Sequence, residues 1–383
     1  MFFVNGVVLA SWVPHIPAVK ARHAISDGEL GLVLFAMAIG AVIALPLAGW
    51  LVGRFGSRRM TSVAAVGLCL CLPLPVLAPT IALLALSLVV FGACNATLDV
   101  SMNAQAVVVE QRYGRAVMSA LHGLFSLGML AGAGGAVLVM ALGSGDVPHV
   151  VGAALASLLA VGLQLRGLVP TPTGGASAGR VFARPSGALL GLGVLAFCGL
   201  LAEGAMGDWS AVYLHDTLGS SAALAGTGFA AFSLAMAGGR FAGDRLVALL
   251  GPARVLRGSS AAAALGLLVA LMFGDTLSGI LGCGMVGLGI ANAVPILFSA
   301  AARVPGVAAG RAIAGVATLG YLGLLAGPPL IGLVADGFGL RFALGIVAAS
   351  CAVIALGGRM VGSTTAASSG DQRAQPLAAP ARG

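Results

Sequence analysis

The chain has 383 residues, of which 59% are hydrophobic and only 8% charged, with 59 glycines. Soluble domains carry about 25% charged residues, so this composition excludes a cytosolic enzyme, a secreted domain and a disordered chain, and leaves a polytopic membrane protein. The formal charge is 20 − 12 = +8. The basic residues sit in short loops between apolar runs, which points to a cytoplasmic membrane face and not to nucleic acid.

Twelve apolar segments follow one another at 2–18, 29–53, 60–78, 81–106, 116–142, 148–168, 187–214, 222–248, 253–273, 276–302, 307–335 and 338–358. A helix of about 20 residues crosses about 30 Å of hydrocarbon, so each segment reads as one spanning helix. The predicted fold is an all-α membrane protein of twelve transmembrane helices. Pro-Thr-Pro-Thr-Gly-Gly marks the longest connection as a linker. The expected divisions are a six-helix bundle over 1–168, a cytoplasmic linker over 169–186, a second six-helix bundle over 187–358, and a disordered cytoplasmic tail over 359–383. Met1-Phe-Phe-Val enters the apolar stretch without a basic region, so no cleavable signal is expected. The first segment is short for a span, so the natural start is expected a few residues upstream.

With the N-terminus inside, inner loops and the tail hold 17 of the 20 basic residues, and outer loops hold Lys20, Arg22 and Arg341. That bias predicts both termini in the cytoplasm. Cys69, Cys71, Cys94, Cys198, Cys283 and Cys351 all lie in apolar runs without CxxC spacing and read as small buried hydrophobes. His15, His23, His122, His149 and His215 show no metal-ligand spacing, so neither a metal nor a cofactor is expected. No GxxxxGK[ST] run is present, which argues against ATP drive.

The first polar signature is Gly49-Trp-Leu-Val-Gly53-Arg54-Phe-Gly56-Ser-Arg58-Arg59, closing helix two. The segment Gly239-Arg240-Phe-Ala-Gly243-Asp244-Arg245 closes helix eight, and Gly332-Leu-Val-Ala-Asp336-Gly-Phe-Gly339-Leu-Arg341 repeats the spacing at the end of helix eleven. Internal repeats of this kind are the usual architecture of secondary transporters. The bland reading is a set of loops shaped by topology alone.

Helix four carries Asn95, Asp99 and Asn103 four residues apart, on one face. A charged side chain inside a span costs about 2.5–3.5 kcal/mol and normally faces a wet cavity or a partner. Amides flanking a carboxylate suit a polar, hydroxyl-rich solute; interhelical hydrogen bonding is the plainer alternative. Helix seven carries Glu203 well inside the membrane, with Asp208 and Trp209 nearer the outer face. Helix one, its counterpart, places Asn5 before Trp12. Burial favours the neutral form of a carboxylate, and a carboxylate that loads and releases a proton near neutrality meets the requirement for proton coupling. No basic residue within the spans offers these acids a fixed partner. His122 at the start of helix five is a relay or donor candidate, and Asn292 with Pro295 in helix ten a weaker one. Gly327-Pro328-Pro329 is expected to break or bend helix eleven.

The loop after helix two resembles the G-x-x-x-D-R-x-G-R-R motif of the major facilitator superfamily, matched by Gly49, Arg54, Gly56, Arg58 and Arg59. Gly53 replaces the acid of that motif; Asp244-Arg245 retains the pair in the second half. Asp99-Val-Ser-Met-Asn103, His122-Gly, Glu203-Gly…Asp208-Trp209-Ser-Ala and Gly239-Arg240…Gly243-Asp244-Arg245 together resemble the bacterial MosC/YbjJ-like subgroup, which is distantly similar to fucose permease, a proton–sugar symporter. That permease has an acid four residues before an asparagine in helix four, like Asp99 and Asn103; its second acid, in helix one, has no counterpart here, and Glu203 is the alternative. The resemblance implies a monomeric secondary transporter in the bacterial inner membrane, moving a small sugar-like solute by alternating access with proton symport. The alternatives are a proton-antiporting drug exporter and a transporter-like sensor without flux. Gly128…Gly135 resembles the exporters' glycine motif but lacks its proline. An intramembrane aspartyl protease is disfavoured, because Phe241-Ala-Gly243-Asp244 lacks the first glycine of GxGD.

Overall fold

The structure is a computed structural model that describes residues 1–113, 118–170, 187–305, 307 and 309–361. The linker expected at 169–186 therefore lies outside the described residues from position 171, and the tail from position 362.

Twelve helices are long and apolar enough to span: α1 Phe2–His23, α2 Asp27–Leu45, α3 Ser57–Leu77, α4 Ile81–Glu110, α5 Leu121–Ala141, α6 Asp146–Gly167, α7 Gly187–Thr217, α8 Ala222–Leu250, α9 Pro252–Phe273, α10 Thr276–Ala301, α11 Gly315–Phe338 and α12 Leu340–Val361. Large apolar side chains turn outward; Met272 is 81% exposed and Leu163 75%. A surface of this kind is matched by hydrocarbon and not by water.

The halves repeat the same packing. In the first, α1 lies on α5 and α2 on α4; in the second, α7 lies on α11 and α8 on α10. The bundles meet where α2 packs against α11 and α5 against α8. Glycine sets the closest approaches: a Cβ on Gly40 would overlap the carbonyl of Val89 across the α2–α4 contact, and one on Gly92 that of Met37. Gly128 and Gly132 of α5 seat the carbonyls of Phe3 and Val7 of α1 in the same way. Helix packing therefore accounts for Gly128 and Gly132 of the glycine run that resembled an exporter motif, while Gly134 and Gly135 face open space.

Three departures from the sequence reading matter. The 3₁₀ turn Val13–His15 interrupts α1, and Ile16–His23 then continues it, five residues past the expected end. Pro328 and Pro329 lie inside one continuous helix, Ala309–Phe338, instead of breaking it. Tertiary neighbours re-satisfy the backbone groups that proline frees. Asn292 falls in the gap between Thr276–Ile290 and Ala293–Ala301, so α10 is interrupted there.

The end of the molecule bearing the α1–α2, α7–α8 and α11–α12 turns, here the α1–α2 face, is shut between the bundles. The Asp336 carboxylate at the end of α11 accepts from the Gly28 backbone N–H at 2.8 Å and from the Ser26 hydroxyl at 3.0 Å. Ser26 also forms a capping box with Glu29 at the start of α2. Lys20 lies 2.6 Å from both Asp27 and Asp216, joining α1 and α2 to the end of α7. Behind these bonds, a Cβ on Gly31 would stand 2.5 Å from the Pro328 carbonyl and one on Gly332 2.5 Å from that of Asp27. At the opposite, α2–α3 end, the Gln105 amide bonds the Ser57 hydroxyl at 2.7 Å and both backbone groups of Val169 at 2.8 and 2.9 Å.

Candidate functional site

The polar stripe of α4 forms as its spacing implies. The Asn103 side-chain amide donates to the Asp99 carboxylate at 3.1 Å and to the Asp99 carbonyl at 2.9 Å. Both residues are half-buried, and Asp99 forms no ion pair among the described residues. One turn earlier, the Asn95 carbonyl oxygen is buried without a hydrogen-bond partner.

Across the gap, Glu203 on α7 does have a basic partner. The Arg240 guanidinium of α8 lies 3.4 Å from the Glu203 carboxylate and donates to the Ser126 hydroxyl of α5 at 3.1 Å. This corrects two expectations: Arg240 lies inside a span and not in an inner loop, and Glu203 is not without a cation. A lone guanidinium in a span demands a counter-charge, and Glu203 supplies it from the facing helix. Both side chains stay about a quarter exposed, at 28% and 25%. Arg240 thus touches both bundles, since Ser126 belongs to the first and Glu203 to the second.

Tyr321 of α11 is a further polar group on the side of both carboxylates. Its hydroxyl interacts electrostatically with both Asp99 and Glu203, and the residue is 48% exposed. Sequence reading passed over it, because one tyrosine in an apolar helix carries no signal until its neighbours are known. Arg240 did carry a signal: a basic residue ten positions before the end of a span is not in a loop. His122 is exposed near the α2–α3 end, edge-on to Phe2 with ring centroids 5.2 Å apart, and feels the charge of Arg240.

The other candidates stand apart. Asn5 is buried, its amide pointing at the Met102 sulfur of α4 at 3.9 Å and its carbonyl oxygen unpartnered. Trp12 and Trp209 are buried at 4% and 0% exposure; Trp209 packs beside Gly332 in the shut half, so neither lines an open space in this state. Asp208 is half-buried with no hydrogen bond or ion pair among the described residues. Asn292 leaves the site: its amide donates to the Gly239 carbonyl at 2.9 Å and covers Gly243, fastening α10 to α8.

The loop motif is likewise more local than expected. Gly56 adopts φ +82°, a conformation glycine favours, and makes the turn between α2 and α3. Arg54 stacks on Trp50 and Phe55 at 5.3 and 5.6 Å. Gly49 faces open space, and the Arg58 carbonyl accepts from Ser62 at 2.9 Å. Asp244 and Arg245 are exposed and form no ion pair among the described residues. Gly239 serves contact with Ala291 of α10.

A profile of the Major Facilitator Superfamily matches residues 1–309. An uncharacterised MFS-type transporter of Yersinia pestis is 41% identical over 360 residues, covering 94% of each chain. The membrane protein MosC of Rhizobium meliloti is 35% identical over 358 residues, covering 92% of this chain and 86% of the relative. Among solved structures, a D-xylose–proton symporter superimposes with a TM-score of 0.73 at 14% identity over 93% of this chain and 94% of its own. FucP in its outward conformation gives a TM-score of 0.58 at 16% identity over 94% and 97%. Family profile, full-length relatives and twelve spans in two like halves agree: this chain belongs to the Major Facilitator Superfamily of membrane transporters.

Proposed function

We propose that this protein is a proton-coupled secondary transporter that takes up a small, hydroxyl-rich polar solute by alternating access. The carrying observation is that Arg240 of α8 lies 3.4 Å from Glu203 of α7 and donates to Ser126 of α5 at 3.1 Å, so one group of side chains spans the two bundles. The amides of Asn95 and Asn103, the Tyr321 hydroxyl and the Arg240–Glu203 pair offer donors and acceptors around a shared centre. Such a set suits hydroxyl groups. Asp99 is the proton carrier in this reading, because it lacks the cation that Glu203 has. The Arg240–Glu203 pair, tied to Ser126, changes partners as the bundles rock.

With Arg240 placed inside α8, the remaining 16 to 3 distribution of basic residues supports cytoplasmic termini in a bacterial inner membrane, with the α1–α2 face outside. The state described here is then shut to the outside. In this reading the protein works as a monomer.

The test uses purified protein in proteoliposomes, after thermal-shift screening of sugars, polyols, amino acids and cationic drugs has found a binder. An inward proton gradient should drive accumulation of that solute. Asp99→Asn should abolish accumulation while solute exchange persists. Accumulation driven by sodium and indifferent to pH would reject proton coupling, and stabilisation only by cationic drugs would reject the polar-solute reading.

A further inference from the structure

Away from the carboxylate site, one cluster of ionisable side chains is closed in on itself. His15 ends the 3₁₀ turn that interrupts α1 and is 0% exposed. Its Nδ1 lies 2.9 Å from the Asp146 carboxylate at the first residue of α6, and its Nε2 lies 2.8 Å from His149 Nδ1, one turn further along α6. His149 is buried too, and its ring borders a groove lined by Ser11 of α1, Gly132 and Gly135 of α5 and Ser144.

The geometry fixes how many protons this cluster can hold. A carboxylate only accepts, so His15 Nδ1 carries a hydrogen. Between two facing imidazole nitrogens at 2.8 Å there is room for one proton. When both rings are neutral, His149 Nδ1–H donates to His15 Nε2, and the unit carries the single negative charge of Asp146. One more proton enters at His149 Nε2, beside the groove. The shared proton then moves to His15, which becomes an imidazolium donating at both nitrogens, to Asp146 and to His149. A second added proton would set two imidazoliums face to face.

We infer that His15, His149 and Asp146 form a proton-binding site, distinct from Asp99 and Glu203, that takes up one proton and thereby sets how firmly the α1–α2 face is held shut. The position of the cluster gives it that leverage. Pro14, beside His15, fills the space over Gly226 of α8, and Lys20 on the following turns binds Asp216 of α7. The stretch of α1 that closes the face between the bundles is therefore fastened to α6 through His15. Hydrogen bonds with a charged donor are roughly twice as strong as neutral ones, so the protonated cluster fastens it more tightly.

The charged groups acting on Asp146 besides the histidines are confined to Arg22 of α1, which also donates to the Val76 carbonyl of α3. His23 and Lys20 lie on the same stretch of α1. Of the other helices touching the Val13–His15 turn, α7 brings Asp208, Asp216 and His215, which lies 2.7 Å from Asp216, so a pH dependence that survives His149→Gln and Asp146→Asn belongs to His215 and overturns the assignment; the ionisable residues of α8 and α5 (Arg240, Asp244, Arg245 and His122) lie toward the opposite end. The inference rests on the alternating-access reading but on no particular solute or coupling ion.

The experiment is a spin-label distance measurement between cysteines placed at the exposed positions Leu142 and Thr217, with the six native cysteines replaced by alanine. Between about pH 8 and about pH 5.5, a range bracketing the ordinary histidine value, the ratio of shut to open populations should rise about fivefold. His149→Gln and Asp146→Asn should each flatten that dependence, and Asp99→Asn and Glu203→Gln should leave it in place. His15→Gln should do the same as His149→Gln if it folds; the other two variants carry the test without it. Two populations whose ratio ignores pH would overturn the proton site and leave alternating access standing. A single distance under every condition would overturn both, and a pH dependence lost only in Asp99→Asn or Glu203→Gln would return the effect to the carboxylate site.

Discussion

The carboxylate of Asp336, at the last turn of α11, caps the first turn of α2 by accepting from the Gly28 backbone N–H at 2.8 Å across the bundle interface. The acid sits at the position of the repeated loop spacing that corresponds to Gly53, where the resembled motif has its acid. A negative charge at a helix N-terminus is favourable through both the free N–H groups and the helix dipole. In this chain the interaction holds the α1–α2 face shut.

Asp336→Asn keeps the shape and removes the charge. It should shift the balance toward the state open at the α1–α2 face by about 0.5–2 kcal/mol, the range for a cap with a partly buried charge. The Leu142–Thr217 spin-label distance would show a growing long component. An unchanged distribution would mean that the cap contributes nothing to closure.

Gly31 and Gly332 are where α2 and α11 come closest. Gly31→Leu places a side chain against the Pro328 carbonyl, which a Cβ alone would meet at 2.5 Å. Closure should fail, leaving the protein open at that face with solute binding from that side retained and transport lost. Binding assays paired with counterflow check this; normal counterflow would show that the helices can close over the added volume.

Arg240→Met leaves Glu203 half-buried without its cation and should lower stability more than the double variant Arg240→Met with Glu203→Gln, because a charge stripped of its partner is worse than no pair. Water reaches the pair, so the difference should be near 1 kcal/mol and not the several expected in a dry interior. Thermal unfolding of the single and double variants measures it, and additive losses would deny the coupling.

Asn292→Ala should destabilise the protein by about 1–3 kcal/mol by leaving the Gly239 carbonyl unsatisfied. It should not change solute affinity. A stable variant with weakened binding would return Asn292 to the solute site.

A cysteine at Ser144 should react with an impermeant reagent applied to intact cells, and one at Ser177 should not. The expectation follows from the asymmetry of basic residues. External labelling at Ser177 would invert the orientation.

What the sequence determined by itself is what depends on local chemistry. Twelve apolar runs must be twelve spans, since hydrocarbon tolerates no unsatisfied backbone, and residues four apart such as Asp99 and Asn103 must share a helix face. The glycine turn at Gly56 was equally legible. The tertiary structure decided which faces meet, because periodicity gives each helix a polar stripe but not the partner it turns toward. Arg240 and Glu203 are 37 residues apart, His15 and His149 134, and Gly28 and Asp336 308. Asn292 shows the reverse case: a polar residue in a span must find a partner, and packing gave it a backbone carbonyl on the neighbouring helix.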